Sequence, residues 1–292
     1  MLCDICPRKC SADREKSGGF CRMGENPVVA KAFLHMWEEP CISGTRGSGT
    51  VFFSGCNLKC IYCQNYRISH ENFGKELTVE QLASVFLSLQ QKGAHNINLV
   101  TPVHFVSRIR EAVQAAKGLK LPIIYNSNGY ESLEGLGAME RIADVYLPDL
   151  KYFSPDISRK YSGAADYFEN ASRAILEMYR QVGPPEFDSD GIIRRGLIIR
   201  HLILPGLSGE SMKILKWIRE NLPDNVYISL MSQYTPYYRA CEFPEINRHI
   251  TRREYEKVLN CFYKLRFEHG YIQERDSACE EYIPEFNLEG ID

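Results

Sequence analysis

Three cysteines, Cys56, Cys60 and Cys63, stand in the stretch SGCNLKCIYCQN at a C-x3-C-x2-C spacing. Three thiolates on one short loop can hold three irons of a cubane iron–sulfur cluster. The fourth iron then has no local protein ligand and is open to a substrate or cofactor. Structural zinc is held by four ligands arranged as separated C-x2–4-C pairs, which this run does not supply. A second set, Cys3, Cys6, Cys10 and Cys21, is spaced C-x2-C-P-x2-C-x10-C, with Pro7, Gly18 and Gly19 permitting tight turns. Four ligands make a closed set, and either zinc or an auxiliary [4Fe–4S] cluster fits that count. Cys41, Cys241, Cys261 and Cys279 stand singly; Cys261 falls in a helical pattern and reads as core.

The elements that must position the first set are strands and helices in alternation. From Gly49 onward, short β-branched runs separate longer amphipathic stretches, the pattern of a parallel sheet covered by helices. Six strands are expected, at Thr50–Ser54, Asn96–Thr101, Pro122–Asn126, Asp144–Pro148, Leu197–Leu204 and Val226–Met231. Capping boxes at Thr78/Gln81 and Thr251/Glu254 open two helices. Further helices are expected after Val103, Ser132, Ala165 and Ser208, with Gly183–Gly191 a loop. Six units are too few for a closed eight-fold barrel, so the expected fold is α/β, an incomplete (β/α)6 barrel. Its reactive groups then lie on loops at the C-terminal strand ends. The Cys56 loop follows the first of these strands. The expected organisation is a cysteine-rich metal-binding cap over 1–48, the partial barrel over 49–270 and a C-terminal tail over 271–292.

Composition removes several classes of function. The chain has 292 residues, 44 % hydrophobic and 25 % charged, with a net charge of −2. That is ordinary for a globular protein and lacks the cationic excess of a whole-protein nucleic-acid binder. No run approaches the roughly 18 apolar residues that cross a bilayer, and MLCDICPRKC has no apolar signal core. No nucleic acid and no membrane are therefore expected as partners, and the cytoplasm is the expected location, where eleven cysteines favour metal chemistry over disulfides. GTRGSG lacks the strand-to-helix context and Lys-Ser/Thr ending of a phosphate loop. His95, His104 and His201 read as satisfied polar residues.

The Cys56 loop, with aromatic Tyr62 just before its last cysteine and placed after the first strand of a partial barrel, resembles the radical S-adenosylmethionine superfamily. In that family the open iron binds the amino and carboxylate groups of S-adenosylmethionine. One electron splits the sulfonium, and the 5′-deoxyadenosyl radical abstracts a hydrogen atom. Across almost the whole chain the sequence is similar to the pyruvate formate-lyase activating enzymes and their longer relatives with a cysteine-bearing N-terminus. NINLVTPVHF stands where those enzymes usually carry Gly-Gly-Glu, which makes the Thr101 backbone a candidate contact to the cofactor amino group. YNSNGY matches an Asp-Thr-Asn-Gly segment beside the cofactor; Asn126 replaces the aspartate of a monovalent cation site, and Asn128 follows it. LPDLKY places Asp149 and Lys151 on one face, and IRHLILPG brings Arg200 toward the cofactor carboxylate or ribose. MSQY offers Gln233 and Tyr234.

The resemblance implies an iron–sulfur oxidoreductase with Cys56, Cys60 and Cys63 around a [4Fe–4S] cluster. It also implies S-adenosyl-L-methionine as cofactor, reduced flavodoxin or ferredoxin as electron donor and a glycyl radical enzyme as protein partner. The alternatives are radical chemistry on a small molecule or peptide, or a non-catalytic iron–sulfur carrier that has no use for a charged barrel mouth.

Overall fold

The computed structural model describes residues 3–16, 18–273 and 284–291; Cys279 and half of the C-terminal tail lie outside them. The described residues form ten strands: β1 Val28–His35, β2 Ser48–Phe53, β3 Lys75–Glu76, β4 Ile97–Val100, β5 Ile123–Ser127, β6 Val145–Pro148, β7 Glu186–Phe187, β8 Ile193–Leu202, β9 Tyr227–Met231 and β10 Gly270–Ile272. They hydrogen-bond in the order β10-β9-β8-β6-β5-β4-β2-β1-β3, with β7 beside β8. Every pair from β10 to β2 along that path is parallel, whereas β1, β3 and β7 pair antiparallel. The sheet does not close, so this is the open α/β barrel expected.

All six expected strands are present, as β2, β4, β5, β6, β8 and β9. β2 and β5 are buried at every position, as strands covered on both faces must be. The Thr78 and Thr251 hydroxyls each accept from the backbone N–H three residues on, and the Gln81 and Glu254 side chains accept in return. Helices Val79–Gln91 and Arg252–Lys264 start there as expected.

Three features depart from the expectation. Residues 1–48 contain β1, whose Lys31 interrupts the apolar pattern; its ammonium is buried against the Glu285 carbonyl and the Glu289 carboxylate, each at 3.0 Å. β8 begins at Ile193, because the Gly183–Gly191 loop folds back and its short strand β7 pairs Glu186 with Arg195. A further helix, Pro155–Ser162, follows β6 and starts on a proline whose missing N–H costs nothing at that position. Residues 288–290 of the tail lie along β1, with Leu288 N–H on Ala30 O and Ala32 N–H on Glu289 O.

Candidate active site

The C-terminal ends of the parallel strands surround a cavity of about 270 Å³. β2 leads into Cys60, Tyr62 and Cys63; β4 contributes Val100, β5 Asn126 and β8 Arg200, while β6 leads to Asp149 and Lys151 and β9 to Gln233 and Tyr234. β1 leads to Trp37 and Glu38 on the same wall. Thiols and charges separated by up to 162 residues of sequence thus face one space.

Cys56, Cys60 and Cys63 carry no disulfide. Burial pushes the Cys56 thiol up to about 11 and that of Cys63 to about 12, each raised further by charge on Cys60. Each sulfur has a donor or hydroxyl partner. The Leu58 N–H and the Asn128 amide donate to Cys56 Sγ, both at 3.3 Å. Cys60 Sγ lies 2.9 Å from Ser162 Oγ, and Cys63 Sγ 3.2 Å from Ser69 Oγ. Among the described residues no three Cys, His, Asp or Glu side chains converge tightly enough to share one metal ion. Three thiols on one loop, each met at sulfur by a donor or hydroxyl, suit a cubane in which each thiolate takes its own iron.

Opposite them is a network of buried charge. Arg200 donates to Asp149 Oδ1 at 2.9 Å, to Glu38 Oε2 at 3.2 Å and to Asn126 Oδ1 at 2.7 Å. Lys151 Nζ is paired with Asp149 Oδ2. Burial alone would raise the Asp149 carboxyl, but Arg200 and Lys151 outweigh it and hold that carboxyl below its ordinary value. Burial likewise opposes charge on Lys151, and Asp149 and Cys60 reverse the balance. The Glu38 Oε1 atom accepts from Asn98 and Asn126, at 3.1 and 3.3 Å. Its neighbour Glu39 is raised by burial, and its Oε2 has no partner.

The structure therefore brings together Tyr62, Asn126, Asp149, Lys151 and Arg200, together with Gln233 and Tyr234. Tyr62 hydroxyl meets that of Tyr152 at 2.5 Å. Thr101 is not on the cavity wall; it sits just past β4 in the left-handed region, φ +60°, with its N–H on Asn126 O. Asn128 acts behind the wall, on Cys56 and on Asn57 Oδ1 at 2.8 Å. Arg200 is not a free anion clamp, since all three guanidinium nitrogens are engaged. Glu38 is absent from the sequence expectations. The signal for it is weak, because EEP lies in a stretch without periodicity and only the β1–β2 pairing turns it inward. Of the histidines expected to be satisfied, His95 is engaged by Arg46 at both ring nitrogens, whereas His104 and His201 reach Ser54 O at 2.7 Å and Leu150 O at 2.6 Å with one nitrogen each and leave His104 Nδ1 and His201 Nε2 buried without a partner.

Residues 50–218 match the model of the Radical SAM superfamily. The chain belongs to this superfamily, and radical chemistry on S-adenosylmethionine at a [4Fe–4S] cluster is its activity class. A relative, "Uncharacterized protein MJ0674" of Methanocaldococcus jannaschii, is 32 % identical over 278 residues, 91 % of this chain and 75 % of that one. The pyruvate formate-lyase-activating enzyme of Clostridium pasteurianum is 25 % identical over 250 residues, covering 80 % of this chain and 89 % of that enzyme. The solved structure of native anSMEcpe with bound AdoMet shares the fold with a TM-score of 0.50 at 16 % identity, over 75 % of this chain. This chain spans 61 % of that protein's length. Among the described residues no helix is long and apolar enough to cross a membrane.

Proposed function

We propose that Cys56, Cys60 and Cys63 hold the catalytic cluster and that the enzyme abstracts a hydrogen atom from a glycine Cα of a partner polypeptide, producing a glycyl radical. The observation that carries the site is the placement of the thiol loop and the Asp149–Arg200–Glu38 network on facing walls of one cavity. The similarity to a pyruvate formate-lyase-activating enzyme over most of its length supports the choice of substrate. When bound, the cluster and S-adenosylmethionine supply a one-electron cleavage that gives methionine and a 5′-deoxyadenosyl radical.

The chain's own residues bind, orient and exclude water. Asp149, held low by Arg200 and Lys151, stays ionised, and Arg200 fixes both Asp149 and Glu38, which suits their oxygens to accept from the ammonium and ribose hydroxyls of the cofactor. Lys151 has three donors and gives one to Asp149, leaving the others for a carboxylate. Arg200 is then a positioning residue, since its own donors are filled by the groups it holds. Tyr62 and Tyr234 meet edge to face at 5.7 Å and close the cavity beside the thiols. A dry wall protects a radical from quenching, the general task of protein around such a cofactor.

The test is anaerobic reconstitution with iron and sulfide, reduction, and addition of S-adenosylmethionine with a glycine-containing peptide deuterated at Cα. The reading expects 5′-deoxyadenosine that carries deuterium, and an organic radical on the peptide by electron paramagnetic resonance that is a doublet with the undeuterated peptide and a narrowed singlet with the deuterated one. Deoxyadenosine without deuterium would overturn the glycine assignment, and none from a reducible cluster would overturn the catalytic one.

A further inference from the structure

Cys60 differs from the other two loop cysteines in what stands behind its sulfur. Ser162 Oγ lies 2.9 Å from Cys60 Sγ and 2.7 Å from Tyr152 Oη, which in turn meets Tyr62 Oη at 2.5 Å. Three hydroxyls therefore run in single file from Tyr62, on the cavity wall, to the thiol. Ser162 and Tyr152 are fully buried and do not line the cavity, so solvent does not reach the file from that side. Cys63 meets one hydroxyl, Ser69 Oγ at 3.2 Å, backed by the His70 ring, and Cys56 is met by amide donors at 3.3 Å.

The backbone explains why Ser162 stands there. Helix Pro155–Ser162 ends at Gly163, and the carbonyls of its last turn have no partner within the helix. The loop N–H groups on either side of Cys60 take them: Lys59 N–H donates to Ser162 O at 3.2 Å and Ile61 N–H to Tyr161 O at 2.9 Å. Those two bonds pin the Cys60 loop to the helix end and bring the Ser162 hydroxyl to the sulfur. The N-terminal segment, in which Cys6 and Cys21 are buried and Cys10 is exposed, braces the same junction. Its Arg8 donates to Asn57 O at 2.8 Å and to Gly163 O at 2.7 Å.

Chemistry sets the direction of the file. A metal-bound thiolate accepts hydrogen bonds and has no proton to give. Ser162 has one proton, and once it points at Cys60 the Ser162 oxygen accepts from Tyr152, whose oxygen accepts from Tyr62. All three protons then point toward the sulfur, and each bond polarises the next. Burial pushes both phenols well above their ordinary range, so neither loses its proton. Donors aimed at sulfur favour the reduced, more negative state of an iron–sulfur cluster.

We propose that Ser162, backed by Tyr152 and Tyr62, is a positioning residue that raises the reduction potential of the catalytic cluster through Cys60. On passing from 2+ to 1+ the cluster gains one electron from the reductant, and the three hydroxyls keep their protons. The inference rests on the reading that Cys56, Cys60 and Cys63 hold that cluster, and it is independent of the substrate.

The test is a potentiometric titration of the anaerobically reconstituted full chain, followed by electron paramagnetic resonance, with iron counted. The catalytic signal is the one that Cys60→Ala lacks. Ser162→Ala should keep its iron and shift the reduction equilibrium of that signal about tenfold toward the oxidised state, a midpoint lower by about 59 mV for one electron. Tyr152→Phe, which removes one oxygen and keeps the ring, should lower the midpoint by less. Ser162→Thr, which keeps the hydroxyl, should stay closer to the wild type than Ser162→Ala. A wild-type midpoint in both Ser162→Ala and Tyr152→Phe overturns the proposal, as does loss of iron in Ser162→Ala with Tyr152→Phe unchanged. A shift in Ser162→Ala alone confines the effect to one hydroxyl and overturns the part given to the phenols. If Cys60→Ala keeps every signal, the cluster assignment itself falls and takes the proposal with it.

Discussion

Arg200 is the residue on which the buried charge depends. Its side chain is 16 % exposed, against 15 % for Asp149 and 11 % for Glu38. Removing one partner of such a set leaves carboxylates buried without compensation, which costs about 3–5 kcal/mol. Arg200→Ala should therefore lower unfolding stability by about that amount and weaken S-adenosylmethionine binding, with iron content unchanged. Chemical denaturation, a binding titration and iron analysis check the three together; unchanged affinity would remove Arg200 from the support of the site. Because Asp149 is depressed in the folded chain, its contribution is present above its unfolded pKa and is lost only as pH falls through the lower folded value. At this scale Asp149, Lys151 and Arg200 were legible through the likeness of LPDLKY and IRHLILPG to family segments, with the two-residue spacing of Asp149 and Lys151 placing both on one face. Glu38 was not legible, because its place is set by the antiparallel pairing of β1 with β2 and by no local pattern.

At the scale of elements, what positions the site differs from what merely holds the fold. β5 ends in Ser127-Asn128-Gly129, and Gly129 has φ +79° with its missing Cβ 2.2 Å from Asp149 O. No side chain fits there, and the chain reversal it permits aims Asn128 at Cys56. Gly129→Ala should cost at least about 1–3 kcal/mol from backbone strain alone. It should also separate β5 from β6, so that reconstitution yields a catalytic cluster with altered absorption and diminished deoxyadenosine formation. Thr251 gives the contrast. It caps helix Arg252–Lys264 and does not line the cavity, so Thr251→Ala should cost about 1 kcal/mol in thermal unfolding and leave deoxyadenosine formation as in the wild type. Capping boxes, apolar strands and turn glycines are local signals, which is why these elements could be read from residues. β1 and β7 could not, because what stabilises them comes from distant partners such as Glu285 and Glu289 on Lys31 and Arg195 opposite Glu186; the helix Pro155–Ser162 carries local signals, Pro155 in its first turn and the left-handed Gly163 at its end, that could have found it.

For the molecule as a whole, the buried histidines set how stability responds to acid. Burial holds His104 down to about 3, and His35 and His201 to about 4. In the unfolded chain each titrates near 6.5. Above that pH both states are neutral and stability is complete; as pH falls from 6.5 toward 4 the unfolded chain gains protons that the folded one refuses. Each histidine can then remove about 1.4 kcal/mol per pH unit. The weakening is not spread evenly, since His104 holds the Ser54 carbonyl two residues before Cys56, and Arg14 of the N-terminal segment donates to the His104 carbonyl. Acid should therefore loosen the cysteine loop and the docked segment early. Unfolding midpoints in guanidinium, taken anaerobically between pH 7.5 and 5, should fall steeply below 6.5. The His104→Gln/His201→Gln variant, whose amides can donate to the same carbonyls without titrating, should show a shallower fall. An equal slope in the variant would assign the acid sensitivity to groups other than these histidines.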